Sequence, residues 1–148
     1  MPPSPQHTAA AVAAHGSAIA AAIAAAVAAG GVEVWTGMLA LVGPLLVLLA
    51  AGRRDAFVRA HAVAALRFNL SVALYLVLIV AGLRLTTGSP YTVQVAPFLL
   101  FLNMLVAFNW LIFTAIGMQR AATAQLWTYP MTIGRIPLLS PPTSERPA

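Results

Sequence analysis

The stretch Arg53–Leu70, RRDAFVRAHAVAALRFNL, places four arginines, a histidine and an asparagine between two long apolar runs. A soluble core does not bury so many charged groups, because removing an unpaired charge from water is costly. The runs on either side have the length that a helix needs to cross a lipid bilayer. We therefore expect this stretch to lie at the cytoplasmic surface of a small membrane protein.

The composition supports the same class of protein. The chain has 148 residues, of which 61% are hydrophobic and 7% are charged, whereas an ordinary soluble domain has about 25% charged residues. It contains no cysteine, which excludes disulfides and thiolate chemistry. The arginines are scattered and do not form one basic stripe, which argues against a nucleic-acid partner. The predicted partners are the lipid bilayer and other integral membrane proteins, in a hetero-complex or a homo-oligomer.

The sequence predicts an all-α integral membrane protein with four transmembrane helices. Breaks that carry Gly, Pro or charge separate four apolar segments, each near the length of a membrane span. The predicted spans are residues 9–30, 34–51, 56–84 and 93–117.

These spans define the expected domain organisation. Residues 1–8 form a short tail, and residues 9–136 form the transmembrane domain with an interfacial C-terminal segment. Residues 137–148 are rich in proline, and we expect them to be disordered.

The first span is mostly alanine, so it contributes little transfer energy and leaves a three-span alternative open. In that alternative, the helix lies on the membrane or is removed as a signal peptide, although no Lys or Arg precedes Arg53 to form a basic n-region. Its flat, small-residue surface is typical of close helix packing, and we expect Ala22 and Ala26 to lie on the packed face.

Pro44 and Asp55 are expected to determine the shape of the second span and the start of the third. Pro44 lacks a backbone donor and crowds the carbonyl of Ala40, which predicts a kink in the second span. Asp55 is expected to cap a helix that starts at Ala56. The first turns of that helix then lie at the headgroup level, from which Arg67 extends its side chain to the surface.

The placement of arginine predicts the topology. If the loop at residues 52–60 is cytoplasmic, four spans place seven of the eight arginines inside and only Arg84 outside. The positive-inside rule therefore predicts a multi-pass protein of the bacterial inner membrane with both termini inside.

Two stretches, FVRAHAVAALRFNLSV and LWTYPMTIGRI, resemble a bacterial membrane-protein family of unknown function. The first matches its pattern F-V-x-x-H-x-x-x-A-L-N-F-Q at Phe57, Val58, His61, Ala65, Leu66 and Phe68, whereas Arg67 and Asn69 replace the family's Asn and Gln. The second matches at Trp127, Tyr129, Pro130 and Ile133, and His15-Gly16-Ser17 and Gly43-Pro44 match two further elements. That family is similar to the twenty-kilodalton component of the chloroplast inner-envelope protein-import translocon. The resemblance implies four helices and an accessory or translocation-related role.

Several polar and aromatic side chains are candidates for helix packing. On the last span, Asn103, Ala107, Trp110 and Thr114 fall within about 60° at 100° per residue, which predicts a packing face; a substrate path is the alternative. Trp127 and Tyr129 are spaced for an aromatic belt at the membrane surface. The complete candidate set is Pro44, His61, Arg67, Phe68, Asn69, Asn103, Trp110, Thr114, Tyr129 and Pro130.

No catalytic motif is present, so we expect no catalytic residue, cofactor or metal. The predicted function is that of a non-catalytic accessory, scaffold or translocation-related subunit that packs against other membrane proteins. The alternative is a redox membrane protein, because His15 and His61 lie at similar depths on two helices and could ligate a haem or a metal.

Overall fold

The computed structural model describes residues 3–29, 38–130 and 132, and this part of the chain is helical, without strands. The helices are α1 (Pro5–Ala29), α2 (Val42–Ala50), α3 (Ala56–Thr86) and α4 (Thr92–Ala122). By length and composition, α1, α3 and α4 qualify as membrane spans. The protein is an all-α integral membrane protein, as predicted.

α1 is the central helix of the bundle. It packs against α2, α3 and α4, and α3 also packs against α2 and α4, whereas the described residues of α2 and α4 do not meet. The contact surface of α1 consists of small residues, since Ala11, Ala14 and Ala18 have no exposed surface. Small side chains allow helix backbones to approach closely in a membrane, where apolar burial alone gives little driving force.

Asp55 begins α3 as the sequence predicts. Its carboxylate accepts a hydrogen bond of 2.8 Å from the Val58 amide, which satisfies one of the free donors of the first turn. The other carboxylate oxygen lies 3.0 Å from Nδ1 of His7, near the start of α1. The first residues of α1 and α3 therefore lie at the same end of the bundle.

The connection from α1 to α3 must bring the chain back to the end of the bundle at which α1 begins. From His7 to Ala29, α1 rises about 33 Å, and α3 nevertheless starts beside His7. The chain therefore runs the length of α1 again between Ala29 and Asp55, and α2, which packs against both α1 and α3, lies on this return. Among the described helices, α1, α3 and α4 have the length and composition of membrane spans, and the choice between three and four spans stays a prediction.

α2 is shorter than the second predicted span, residues 34–51. Residues 30–37 lie outside the described residues, and α2 begins at Val42 after a turn at Ala40 and Leu41. Pro44 therefore lies in the first turn of a helix, where its missing N–H costs little. The kink predicted near Ala40 corresponds to this turn, which separates the helical residues Met38 and Leu39 from α2.

The outward surface of the bundle is apolar. α4 is the least buried of the three long helices, since only 6% of its most apolar 18-residue stretch is buried. The exposed side chains of α4 include Phe98, Phe101, Met104, Phe108 and Ile112. Such a surface suits lipid tails or another membrane helix.

Candidate functional site

Two histidines meet between α1 and α3. His15 lies three turns into α1 and His61 lies in the second turn of α3, and both are at most 1% exposed. Nε2 of His15 and Nδ1 of His61 are 2.9 Å apart, which is a hydrogen bond between the rings. The rings are nearly perpendicular, at 88°.

Tyr129 completes the cluster from the C-terminal segment. After α4 ends, Ala124 adopts a positive φ of 56°, and the chain folds back so that the Tyr129 hydroxyl lies 2.7 Å from Nδ1 of His15. The Tyr129 ring stacks on Phe68 of α3 with centroids 4.1 Å apart and planes 4° apart. Burial raises the pKa of this hydroxyl above its usual value, because an ionised phenolate would lose its hydration.

His15, His61 and Tyr129, called the histidine–tyrosine cluster below, form one continuous hydrogen-bond chain. If Tyr129 donates to Nδ1 of His15, then Nε2 of His15 donates to Nδ1 of His61, and all three groups are neutral. The remaining nitrogen, Nε2 of His61, is buried and has no hydrogen-bond partner among the described residues. The Gln125 backbone lies beside this ring but outside hydrogen-bond geometry.

Gly117 of α4 provides the space for this arrangement. A Cβ atom at this position would lie 2.5 Å from the Tyr129 hydroxyl and 3.1 Å from Nδ1 of His15. Both atoms belong to packed, hydrogen-bonded side chains, so neither can move away without loss of the contact. Gly117 was missed in the sequence, although Thr114, Gly117 and Ala121 follow an i, i+3, i+7 pattern, and all three are buried.

A second polar contact joins α3 to α4. Asn69 donates from Nδ2 to the Ala65 carbonyl at 2.8 Å and accepts at Oδ1 from Nε1 of Trp110, also at 2.8 Å. Thr114 is buried one turn further along α4, and its hydroxyl has no partner among the described residues. Of the four residues of the predicted α4 face, Trp110 bonds to α3 and Thr114 is buried, whereas Asn103 is half-buried and Ala107 is exposed.

The remaining candidates are separate from the cluster. Pro44 is buried in α2, and the adjacent Gly43 allows close approach of α2 to Ser17 of α1. Arg67 is half-buried and Pro130 is exposed.

The position of Tyr129 corrects its interpretation as a belt residue at the membrane surface. Tyr129 is 3% exposed, so its ring is enclosed by helices and does not face the headgroups. The positive φ at Ala124, the stacking on Phe68 and the hydrogen bond to His15 hold it there. Trp127 lies beside it, with ring centroids 6.1 Å apart.

The geometry does not support the redox alternative. The two histidines do meet, but their facing nitrogens share a hydrogen bond of 2.9 Å. One of these nitrogens carries the proton and the other uses its lone pair to accept it, so the pair does not present two free lone pairs to a metal. The second nitrogen of His15 bonds to Tyr129. Only Nε2 of His61 is unused, and one imidazole nitrogen does not make a bis-histidine site.

Comparison with known protein families gives a match over most of the chain. The model of the MamF/MmsF family, described as the magnetosome magnetite crystal formation protein family, matches residues 10–137. Comparison with curated proteins and with solved structures gave no significant match. These comparisons support a bacterial family but give no support for the resemblance to the chloroplast import component. Because the match covers 128 of the 148 residues, from within α1 to beyond Tyr129, the chain belongs to the MamF/MmsF family.

Proposed function

We propose that this protein is a non-catalytic subunit of the magnetosome membrane that contributes to magnetite crystal formation through contacts with other membrane proteins. The observation that carries the proposal is the family match over residues 10–137. The proposed location is a bacterial inner membrane or a compartment derived from it. The positive-inside arrangement of the arginines is consistent with this location.

The scarcity of acidic residues favours protein contacts over direct binding of iron. Carboxylate oxygens are preferred ligands for hard metal ions, and the whole chain has three acidic residues. One of them, Asp55, already caps α3 and contacts His7. A carboxylate-rich surface for iron or for a crystal face therefore does not fit this sequence.

The outer surface of α4 favours a role in assembly. Phe98, Phe101 and Phe108 are 64–67% exposed, and Met104 is 71% exposed. Aromatic side chains and methionine are enriched at protein interfaces, and methionine adapts to partners of different shape. This surface can pack against lipid or against a neighbouring membrane helix.

The histidine–tyrosine cluster fits a structural role within this proposal. It has no carboxylate, and its hydrogen bonds join α1, α3 and the C-terminal segment inside the protein. We propose that the cluster fixes the shape of the bundle and does not perform chemistry.

Complementation tests the function directly. In a magnetite-forming bacterium that lacks its genes of this family, the wild-type chain should restore crystal length as measured by electron microscopy. Tyr129→Phe should also restore it, because a non-catalytic subunit needs the fold and not the hydroxyl. Gly117→Leu should fail, because its side chain would displace Tyr129 and disrupt the cluster.

Two results would overturn the proposal. Wild-type protein that reaches the membrane at normal abundance without changing the crystals would exclude the role in crystal formation. A Tyr129→Phe variant that is abundant and keeps residues 123–130 docked by hydrogen–deuterium exchange, but is inactive, would indicate chemistry at the hydroxyl, and the protein would then not be a passive subunit.

A further inference from the structure

Arg67 is half-buried and lies near the edge of the outward side of α3. At 100° per residue it shares a face with Leu70, Leu74 and Leu78, and these leucines are 44–60% exposed. Asn69, which packs inward against Trp110, points about 160° away. The Arg67 side chain therefore starts between exposed leucines on one side and the buried Ser71, about 40° away, on the other.

The position of Arg67 along α3 places its backbone within the hydrocarbon. α3 has 31 residues and is about 46 Å long, whereas the hydrocarbon core is about 30 Å thick. With α3 centred in the bilayer, the Arg67 backbone lies about 8 Å below the boundary of the core. Helix side chains point towards the N-terminus, so that Arg67 can extend its charge to the headgroups at that end.

No group of the described chain neutralises this charge. The Arg67 guanidinium has no hydrogen bond or ion pair with any described residue, whereas Arg120 at the same end bonds to the Gln125 side chain and lies over the Trp127 ring. Asp55, the acidic residue of the described ranges, is already engaged by Val58 and His7. A charged side chain within a span is costly, and it either pairs with an opposite charge or extends to the headgroups.

We propose that Arg67 binds the phosphate group of an anionic phospholipid in the leaflet at the N-terminal end of α3. A guanidinium presents two parallel N–H donors to phosphate oxygens, which gives a bidentate contact. Arg59, which is exposed, lies about 12 Å closer to that end of the helix and supplies a second positive charge. The acyl chains of the same lipid then cover Leu70, Leu74 and Leu78.

Lipid retention by the purified full-length protein tests this site. The protein in mild detergent is supplied with phosphatidylglycerol or phosphatidylcholine, and the bound lipids are counted by native mass spectrometry. Wild type should prefer phosphatidylglycerol, and Arg67→Gln should lower its apparent affinity roughly tenfold. The matched control is Arg84→Gln, which removes the same charge from the other end of α3 and should leave retention unchanged.

A second variant and a competitor make the result specific. Arg67→Lys keeps the charge but loses the bidentate geometry, so its affinity should be intermediate; it also serves as the test variant if Arg67→Gln does not fold. Millimolar inorganic phosphate should not displace the lipid, because it cannot replace the contacts of the acyl chains.

The proposal is wrong if wild type and both Arg67 variants bind phosphatidylglycerol equally, or if Arg84→Gln weakens binding as much as Arg67→Gln. Equal retention of phosphatidylcholine would indicate non-specific contact with headgroups. Displacement by inorganic phosphate would indicate a soluble ligand. The proposal is also wrong if wild type shows no lipid preference and Arg67→Gln loses a membrane protein that co-purifies with wild type. Arg67 would then contact a carboxylate of that protein.

Discussion

The hydroxyl of Tyr129 links the C-terminal segment to the helices through one hydrogen bond. Its ring also contributes stacking energy on Phe68, which does not depend on the hydroxyl. The two contributions can therefore be separated by a change that keeps the ring and removes the oxygen.

Tyr129→Phe should weaken docking of residues 123–130 by about 1–3 kcal/mol, because Nδ1 of His15 loses its partner in a buried site. Hydrogen–deuterium exchange of the backbone amides in this segment measures the change. Thr128→Val, at an exposed neighbouring position, is the control and should leave exchange unchanged. Equal protection in wild type and Tyr129→Phe would show that stacking alone holds the segment.

The ionisation of Tyr129 gives a pH dependence with a defined sign. Burial raises the pKa of the docked hydroxyl, whereas an undocked tyrosine ionises near pH 10. The free energy that holds residues 123–130 against the helices should therefore be fully present below about pH 10. It should decrease as the pH rises from there towards the raised pKa of Tyr129.

The titration of Tyr129 can be isolated by difference. Phenolate absorbance of wild type minus that of Tyr129→Phe reports this one tyrosine, and its midpoint should lie above the midpoint of the same difference in denatured protein. Coincident midpoints would mean that the ring is hydrated and not enclosed as the structure has it.

At the scale of whole helices, the sequence predicted that α1 packs against protein but not which of its residues form the packed face. The alanine-rich surface correctly indicated packing against protein, but the expected positions Ala22 and Ala26 are only half-buried. The fully buried positions are Ala11, Ala14 and Ala18. A helix of alanines has nearly the same surface on every side, so the sequence does not indicate which turn packs.

Contacts between neighbouring residues could be predicted from the sequence, whereas contacts between distant parts of the chain could not. The cap at Asp55 depends on neighbouring residues, and the sequence was sufficient to predict it. The contact of His15 with His61 required the relative rotation of two helices, which the matched depths alone did not provide. Docking of Tyr129 depends on a positive φ at Ala124, and alanine gives no signal of such a turn.

A pair of alanine substitutions tests the position of the packed face. Ala18→Leu should lower the stability of the bundle by about 1–3 kcal/mol, because the larger side chain does not fit between α1 and its neighbours. Ala20→Leu is the matched control at an exposed position and adds the same hydrophobicity. Thermal unfolding in detergent measures both variants. Equal unfolding midpoints would mean that α1 does not pack through the Ala18 side.

At the scale of the whole molecule, the contacts assign the ends of the helices to two sides. The His7–Asp55 contact and the docking of Tyr129 against His15 place the loop at residues 51–55 and the C-terminal segment at one end. The turn between α3 and α4 lies at the other end, one span of α3 away. The distribution of arginine predicts that the first of these ends is cytoplasmic.

Cysteine labelling tests this arrangement, because the natural chain has no cysteine. In intact cells, a cysteine at Tyr91, which is 67% exposed, should react with an impermeant thiol reagent, whereas cysteines at Arg54 and Leu126 should react only after permeabilisation. Gly88 is a poorer position for the outer cysteine, because its φ of 82° strains any side chain. If intact cells are labelled at Arg54 and Leu126 but not at Tyr91, the fold is compatible with the result but the orientation in the membrane is the opposite of the predicted one. Labelling of Arg54 and Leu126 on opposite sides would contradict the fold itself, since Tyr129 could not then reach the end of the bundle at which α3 begins.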